Sequence, residues 1–377
     1  MSVDAPVTGV PAGGCGGACA CGSAVPVHDV TLTTTDGVRI DVACGEDTTV
    51  LAAAAGAGYV LPSLCGTGTC GACVATLEAG DADQAPASDA ALPPAERERG
   101  GVLLCRTSPR SALAVALRCD DSRVLRGGLP RRDAELVAVE PVSADGRSVR
   151  VRLALTGEDA TAQFEPGQFV EVEVPGVLDP SGEPVRRAYS LSNVANWDGE
   201  LELLVRLREG GAFSSWLSSA PAGAPLVVHG PQGAFSLAET GLRPRWFVAG
   251  GTGLAPILSM LRRMAEWGDP QPVRLYLGVG SAAEVPDLPE LHDALAGLTA
   301  HAGRALVTSV WRGELPDAAV AGTPLDAVAA DLAALTASGA PLPDLYGCGP
   351  VALVDGLSVL AAEHGVPGVT VERFVAS

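Results

Sequence analysis

The sequence contains no lysine, so all 25 of its basic residues are arginines, and they stand against 44 acidic residues. The resulting net charge of −19 repels nucleic-acid phosphates, and no basic stripe offsets that repulsion. We therefore expect no nucleic-acid partner. A protein partner with a basic face fits this charge better.

A long apolar run is also missing. The most continuous one, Val50 to Leu64, is too short to span a bilayer and contains Pro62. The first residues, MSVDAPVTGVPAGG, lack the charged and apolar regions of a signal peptide. These features predict a soluble, cytoplasmic protein with no membrane partner. In that compartment the ten cysteines indicate metal or redox chemistry before disulfides.

The sequence lacks the motifs of a haem site and of a diiron site. Its five histidines are scattered singly and no globin-like segment is present, so we expect no haem site. The paired E-x-x-H motifs of a diiron site are absent as well. The chain should therefore not oxidise a hydrocarbon by itself.

The order of sequence patterns predicts a tail followed by three domains. Residues 1–26 are rich in Gly, Ala and Pro and predict a disordered tail, in which Cys15, Cys19 and Cys21 lack a further ligand for a metal. Residues 27–122 combine a hairpin at Asp36-Gly37, an alanine-rich helix and short strands, one of them VLLCRT. We interpret them as a compact N-terminal α+β domain, followed by an Arg-rich linker.

The next two patterns differ in their periodicity. Residues 131–236 contain alternating apolar and polar runs, which predict a middle antiparallel β-barrel. Residues 242–377 alternate strands with helices, which predicts a C-terminal doubly wound parallel sheet. The fold class is therefore multidomain, α+β and α/β.

The cysteine-rich loop has the spacing of a plant-type [2Fe–2S] site. Cys65, Cys70 and Cys73 follow the pattern C-x4-C-x2-C, and Cys105 comes 32 positions later. Interspersed glycines let the backbone wrap a small inorganic core closely. A structural zinc site and four unrelated buried thiols are the alternatives, but zinc ribbons prefer two C-x2-C pairs and only one is present.

Two motifs in the middle domain indicate a flavin site. In the first, Arg187 suits a pyrophosphate, the Tyr189 ring suits the isoalloxazine, and the Ser190 hydroxyl suits its reactive nitrogen. The second is a glycine turn leading into a helix, where Ser214 and Ser215 are also natural N-cap residues. The flavin-site residues predicted beyond the first motif are Leu191, Val205, Arg206, Gly211, Phe213, Ser214 and Ser215.

Two glycine motifs in the last domain indicate a nicotinamide site. The first lies between a hydrophobic strand and a helix, where a nucleotide phosphate meets helix amides. The second surrounds Cys348, which contacts the nicotinamide ring or merely fills a tight turn. Glu284, after the strand LYLGVG, would repel a 2′-phosphate, which predicts NADH. The site residues predicted here are Gly250, Gly251, Thr252, Gly253, Pro256, Cys348, Gly349, Pro350 and Phe374.

These motifs, in this order, resemble the reductase components of soluble diiron monooxygenases of the methane and propane type, over about residues 27–377. The stretches FEPGQFVEVEVPG, RAYSLSN and FVAGGTGLAPILSMLRRMAEW carry the likeness, together with the four cysteines. Within the ferredoxin–NADP reductase superfamily, this resemblance implies an N-terminal β-grasp ferredoxin domain, a middle antiparallel β-barrel FAD domain and a C-terminal doubly wound parallel-sheet nicotinamide domain. It further implies electron flow from NADH through FAD and a [2Fe–2S] cluster to a diiron hydroxylase. It also implies Ser190 and Cys348 as catalytic residues. We expect a monomer.

The resemblance leaves alternatives open. The same layout serves reductases of Rieske ring-hydroxylating dioxygenases, and a non-enzymatic ferredoxin-type carrier would show no flavin spectrum and no NADH oxidation. The tail, Gly66 and the GVGS step depart from the usual pattern. Asp81, Asp83 and Asp89 either steer a basic hydroxylase surface or form a solvated acidic loop.

Overall fold

The computed structural model describes residues 25–374 apart from 159, 239 and 317. Nearly all of the predicted tail, including Cys15, Cys19 and Cys21, lies outside the described residues. No helix in the described part of the chain is long and apolar enough to cross a membrane.

The first domain is a five-stranded sheet with a short helix packed on it. The sheet order is β2-β1-β8-β4-β6, with β1 and β8 parallel. Alternate residues of the first hairpin, such as Val30, Leu32, Ile40 and Val42, are buried in the core. The elements are β1 Val27–Thr33, β2 Arg39–Gly45, α1 Val50–Gly56, β3 Tyr59–Val60, β4 Val74–Ala79, β5 Ala82–Gln84, α2 Pro94–Glu98, β6 Gly101–Leu103, β7 Thr107–Pro109, β8 Leu113–Leu117 and β9 Leu125–Arg126.

Two local predictions for this domain were wrong. Cys105 lies in a 3₁₀ turn, Leu104–Arg106, between β6 and β7, and not in a continuous strand. The beginning of the predicted linker belongs to the domain, because β9 pairs with β3 and Val124 is buried in the core. The arginines and glycines around Val124 concealed this from the composition of the segment.

The second domain is a six-stranded antiparallel barrel. Its sheet order is β13-β12-β15-β10-β11-β14, and a bridge between Leu191 and Leu203 joins the two edges. Inward-facing Val and Leu side chains fill the interior, and burying each contributes roughly 1.5–3 kcal/mol. The elements are β10 Arg131–Pro141, β11 Ser148–Leu155, β12 Phe169–Leu178, β13 Pro184–Ser190, β14 Glu200–Arg206, α3 Ala212–Leu217 and β15 Pro225–Gln232.

The third domain is a six-stranded parallel sheet with helices on both faces. Its order, β19-β18-β17-β16-β20-β21, reverses direction between β16 and β20. Every residue of β16 and β17 is buried, as expected for strands covered on both faces. The elements are β16 Arg245–Gly250, α4 Leu254–Trp267, β17 Val273–Val279, α5 Pro289–Ala296, β18 Leu306–Val310, β19 Val320–Ala321, α6 Pro324–Ser338, β20 Asp344–Pro350, α7 Val351–His364 and β21 Gly368–Phe374. The predicted three-domain fold class is confirmed.

Candidate functional site

The cysteine-rich loop between β3 and β4 curves around its own thiols. Gly66, Gly68 and Gly71 have φ angles of +64°, +81° and +80°, which residues other than glycine rarely adopt. This curvature turns backbone amides toward sulfur: the Thr67 amide donates to Cys65 Sγ at 3.4 Å, and the Ala72 amide to Cys70 Sγ at 3.5 Å. Such amides are the donors that stabilise thiolates around an iron–sulfur cluster.

The four predicted ligands form two pairs of contacting thiols. Cys65 contacts Cys70, and Cys73 contacts Cys105 from the 3₁₀ turn. The contact with Cys70 lowers the pKa of Cys65 to about 3, and the contact with Cys73 lowers that of Cys105 to about 7. Hydrogen bonding within each pair raises the pKa of its other member.

This pairing suits a binuclear cluster better than a single metal ion. In a [2Fe–2S] cluster each iron takes two protein ligands, and sulfide completes its coordination. Two pairs of thiols within one glycine-rich loop and its neighbouring turn therefore fit the cluster, and the zinc alternative loses support.

Strand β13 carries the first flavin motif. Tyr189 packs on Phe213, with ring centroids 5.0 Å apart, and Phe213 stacks on Trp216 at 5.6 Å. Burial raises the pKa of Tyr189 to about 12. The Arg187 guanidinium donates to the Arg186 carbonyl and makes no ion pair within the described part of the chain. A half-buried cation beside an aromatic cluster fits the pyrophosphate and ring of a flavin nucleotide.

The second flavin motif is a glycine turn that leads into a helix, as predicted. Gly211 is the N-cap of α3, while Ser214 and Ser215 lie inside the helix. Ser214 Oγ accepts a hydrogen bond from the Arg208 amide at 3.0 Å, which ties the preceding turn to the helix. The alternative role of these serines as N-caps is therefore wrong.

Three other predicted residues are core residues. Leu191 and Val205 are buried in the barrel, and Pro256 is buried in α4. Any contact that Leu191 or Val205 makes with a cofactor must therefore use backbone atoms. Phe374, at the end of β21, is half-buried and packs against the core of the third domain.

Ser190 and Cys348 converge on a residue that sequence reasoning missed. Glu372 on β21 lies with Oε2 3.3 Å from Ser190 Oγ and 3.8 Å from Cys348 Sγ. Burial raises the pKa of Glu372 to about 7, although hydrogen bonds from Ser190 and Cys348 oppose that rise. Burial also raises the pKa of Cys348. The ERF segment near the end of the sequence contains this carboxylate, but only the strand pairing reveals its partners.

A cleft of about 570 Å³ runs between the barrel and the carboxyl ends of the parallel strands. It lies at the point where the strand order reverses, which is where doubly wound sheets bind nucleotides. Gly250 and Thr252 from the predicted phosphate loop line it, as does Pro350. Other lining residues are Val142, Ser148, Leu204, Arg206, Arg208, Gly251, Gly278, Gly280, Glu284, Trp311, Pro324 and Leu325.

The two glycine motifs beside the cleft pack directly on each other. A Cβ on Gly253 would lie 2.2 Å from the Cys348 carbonyl oxygen, and one on Gly250 would lie 2.8 Å from Pro350 Cδ. Both distances are far below van der Waals contact. Glycine is therefore required here so that the phosphate loop can approach the end of β20.

Charged and aromatic side chains also line the cleft. Arg206, predicted for the flavin site, donates to Ser148 Oγ at 3.1 Å and pairs with Asp145 at 2.9 Å and Glu284 at 3.6 Å. Trp311, which is 44% exposed and was missed by sequence reasoning, also lines the cleft. A carboxylate, a guanidinium and an indole together suit the adenosine end of a dinucleotide.

Three family models match the chain in the predicted order. They are a 2Fe-2S iron-sulfur cluster binding domain over residues 33–110, an oxidoreductase FAD-binding domain over 133–237 and an oxidoreductase NAD-binding domain over 247–358. The chain is thus an oxidoreductase with [2Fe–2S], FAD and NAD domains.

Several known reductase components are similar to the chain. The propane 2-monooxygenase reductase component of Mycolicibacterium goodii is 31% identical over 88% of this chain and 92% of its own length. Methane monooxygenase component C of Methylosinus trichosporium is 39% identical, over 59% and 64%. The toluate 1,2-dioxygenase electron transfer component of Pseudomonas putida is 32% identical, over 93% and 99%.

A solved structure agrees with these sequence matches. The cytochrome P450 reductase GcoB of Amycolatopsis superposes with a TM-score of 0.65 at 31% identity, covering 92% of this chain and 99% of that one. The resemblance inferred from the motifs is therefore confirmed. The chain belongs to the family of iron–sulfur flavoprotein reductases that includes the reductase components of the propane and methane monooxygenases.

Proposed function

We propose that this protein is the NADH-dependent reductase component of a soluble diiron monooxygenase acting on a hydrocarbon. The observation that carries the proposal is the presence, in one chain, of paired thiols, an aromatic and cationic flavin face, and a nucleotide cleft. The propane and methane monooxygenase relatives support a hydroxylase as the partner. We further propose a monomer, located in the cytoplasm, with three domains after a tail of 26 residues. The first extends from residue 27 through β9, and the other two span residues 131–236 and 242–377.

We assign the cofactor ligands as follows. Cys65, Cys70, Cys73 and Cys105 would hold the cluster through the two thiol pairs described above. Arg187 would pair with the flavin pyrophosphate, and Tyr189 would pack along the ring. When bound, the flavin and the cluster supply the conversion of a two-electron donor into single electrons. The chain positions them and tunes their surroundings.

Ser190, Cys348 and Glu372 act where the nicotinamide meets the flavin. Burial raises the pKa of the Glu372 carboxyl to about 7, so it is protonated below that pH and can release its proton near neutrality. The Ser190 hydroxyl lies within hydrogen-bonding distance of this carboxyl. The pair can therefore hold a proton beside the reacting rings while excluding water from them.

Glu284 is the residue that we propose selects NADH. It lines the cleft after β17, and a carboxylate at this place accepts hydrogen bonds from ribose hydroxyls but repels a 2′-phosphate. Arg206 pairs with Glu284, and its charge is already shared between that carboxylate and Asp145. A 2′-phosphate would therefore meet two carboxylates together with that cation.

The acidic loop is weaker support for hydroxylase docking than its composition suggests. Asp83 pairs with Arg110 at 2.5 Å, and Asp89 pairs with Arg97 at 2.8 Å. Arginine thus offsets two of the three charges, and steering depends on Asp81 and on the surrounding field. Neutralising all three carboxylates should slow partner reduction at low salt. An unchanged rate and salt slope would remove steering from the proposal.

The principal test is optical. Purified protein should show flavin and [2Fe–2S] absorption, and anaerobic titration with NADH should bleach both. Absence of either chromophore would refute the assignment and would favour a ferredoxin-type carrier if only the cluster were present. A single elution peak at the monomer mass tests the proposed oligomeric state.

A second candidate is the reductase of a Rieske ring-hydroxylating dioxygenase. It is favoured by the toluate dioxygenase relative, which matches nearly the full length of both chains. Reconstitution distinguishes the two candidates: the reduced protein is mixed with a diiron hydroxylase or with a Rieske oxygenase, and reduction of each is followed spectroscopically. Faster transfer to the Rieske protein would overturn the diiron assignment.

A further inference from the structure

The cluster loop of the first domain touches the last strand of the third domain through one side chain. We propose that Arg373 is a positioning residue that clamps this loop to β21 and so fixes the cluster beside the flavin and nicotinamide site. The inference rests on the proposed cluster ligands, but its test reads out the loop itself.

Arg373 is held from two sides. Its Nε donates to Asp355 Oδ1 of α7 at 2.8 Å, and its Nη1 donates to the Cys70 carbonyl at 3.5 Å. Only 12% of its side chain is exposed, although arginine is among the residues least often buried. Asp355 therefore orients the guanidinium toward the cluster loop, where the Cys70 carbonyl accepts its hydrogen bond.

The loop has a matching space at Gly71. A Cβ at this position would lie 3.1 Å from Arg373 Nη1 and 3.1 Å from the Ala91 carbonyl oxygen. Gly71 also has a φ of +80°. Gly71, which lies between the predicted cluster ligands Cys70 and Cys73, therefore leaves room for the guanidinium and also allows the turn.

β21 joins this clamp to the chemistry of the flavin site. Successive residues of a strand point to opposite faces, and Glu372 contacts Ser190 and Cys348 while Arg373 contacts the cluster loop. One strand therefore fixes both groups relative to each other. A cation beside the loop also favours a reduced cluster, because reduction adds one negative charge.

The test uses the full-length holoprotein and compares Arg373→Gln, Arg373→Lys and Asp355→Asn with wild type. Hydrogen exchange of the amides in residues 66–72 is measured first. Loss of a hydrogen bond from a charged donor should speed their exchange about tenfold in Arg373→Gln, with a smaller effect in Asp355→Asn. The control is Arg263→Gln, whose guanidinium stacks 3.3 Å from the centre of the Trp267 ring on α4.

The second readout is the reduction potential of the cluster, measured by an EPR-monitored titration. We expect a more negative potential in Arg373→Gln, substantial recovery in Arg373→Lys because the charge remains, and no change in Arg263→Gln. Unaltered exchange and potential in Arg373→Gln, with cluster absorption intact, would overturn the clamp. If Arg373→Gln does not fold, unaltered exchange and potential in Asp355→Asn would overturn it. Absence of cluster absorption in wild type would instead refute the proposed function.

Discussion

Replacing Glu284 by Gln should move the cofactor preference from NADH toward NADPH. The substitution keeps the size of the side chain and removes its charge from the wall of the cleft. It also releases Arg206, whose Nη2 lies 3.6 Å from Glu284 Oε2 and 2.9 Å from Asp145 Oδ2. The freed guanidinium could then pair with a 2′-phosphate.

The structure bounds the size of this effect. Two unit charges 4 Å apart interact by about 1 kcal/mol in water and by about 4 kcal/mol in surroundings typical of a protein surface. The side chains of Glu284 and Arg206 are 32% and 29% exposed, so solvent screens them and the lower part of that range applies. A gain of about 1–2 kcal/mol corresponds to roughly 5- to 30-fold in kcat/KM for NADPH. NADH should lose about fivefold through a weakened ribose hydrogen bond.

The assay is the reduction of ferricyanide with either nucleotide, at low and high salt. Glu266→Gln, on an exposed position of α4, is the matched control and should leave both values unchanged. The double variant Glu284→Gln, Arg206→Gln should lose the gain with NADPH, because the two residues act on the same phosphate. An unchanged ratio of NADPH to NADH activity in Glu284→Gln would refute this account of cofactor selection.

Three further variants test the remaining features of the site. Burial raises the pKa of Glu372 from 4.5 to about 7, so stability is greatest below the unfolded value and declines by up to about 3 kcal/mol as pH rises through 7. Glu372→Gln should abolish the decline in urea midpoint between about pH 5 and pH 8, and a persisting decline would contradict that pKa. Trp311→Ala should raise KM for NADH about tenfold but leave reduced nicotinamide mononucleotide unaffected, since only NADH carries adenine; equal effects on both would exclude adenine stacking. Gly253→Ala should destabilise the protein by about 1–3 kcal/mol and weaken NADH binding, because its Cβ would clash with the Cys348 carbonyl. An unaltered melting temperature would contradict that clash.

Local sequence patterns predicted the framework because its determinants are local. The spacing of Cys65, Cys70 and Cys73 is set within one loop, and the alternation of apolar residues is set within each strand. The switch from alternating runs to strand–helix units marked the parallel sheet, which the NAD-binding model matches. In these cases the pattern and the structure depend on the same few neighbouring residues.

The wrong predictions fall where tertiary contacts override local chemistry. Ser214 has the side chain of an N-cap, yet the preceding turn places Gly211 at that position and uses the serine to bind the Arg208 amide. Cys105 lies in an apolar run that resembles a strand, but its thiol must face Cys73, and a 3₁₀ turn provides that direction. Strand and cap propensities depend on local sequence and take no account of such contacts.

The residues that sequence reasoning missed are joined by contacts between distant parts of the chain. Glu372 is 182 positions from Ser190, and Arg373 is 303 positions from Cys70. No periodicity relates residues so far apart, and a Glu-Arg pair in a short final strand is otherwise unremarkable. Their importance follows from strand order, because β21 is the edge strand beside β20, and Cys348 lies in the C-terminal half of β20.

The glycine motifs mark the boundary of what a sequence can reveal here. Gly250–Gly253 and Cys348-Gly349-Pro350 each indicate a tight turn, and each is ambiguous alone. In the fold they form one packed unit, since the Cβ that Gly253 lacks would lie 2.2 Å from the Cys348 carbonyl oxygen. The glycine at 253 is therefore required by a residue 95 positions away as well as by a nucleotide. A string of glycines predicts that something approaches the backbone closely, but only the three-dimensional arrangement reveals that one such neighbour is the chain itself.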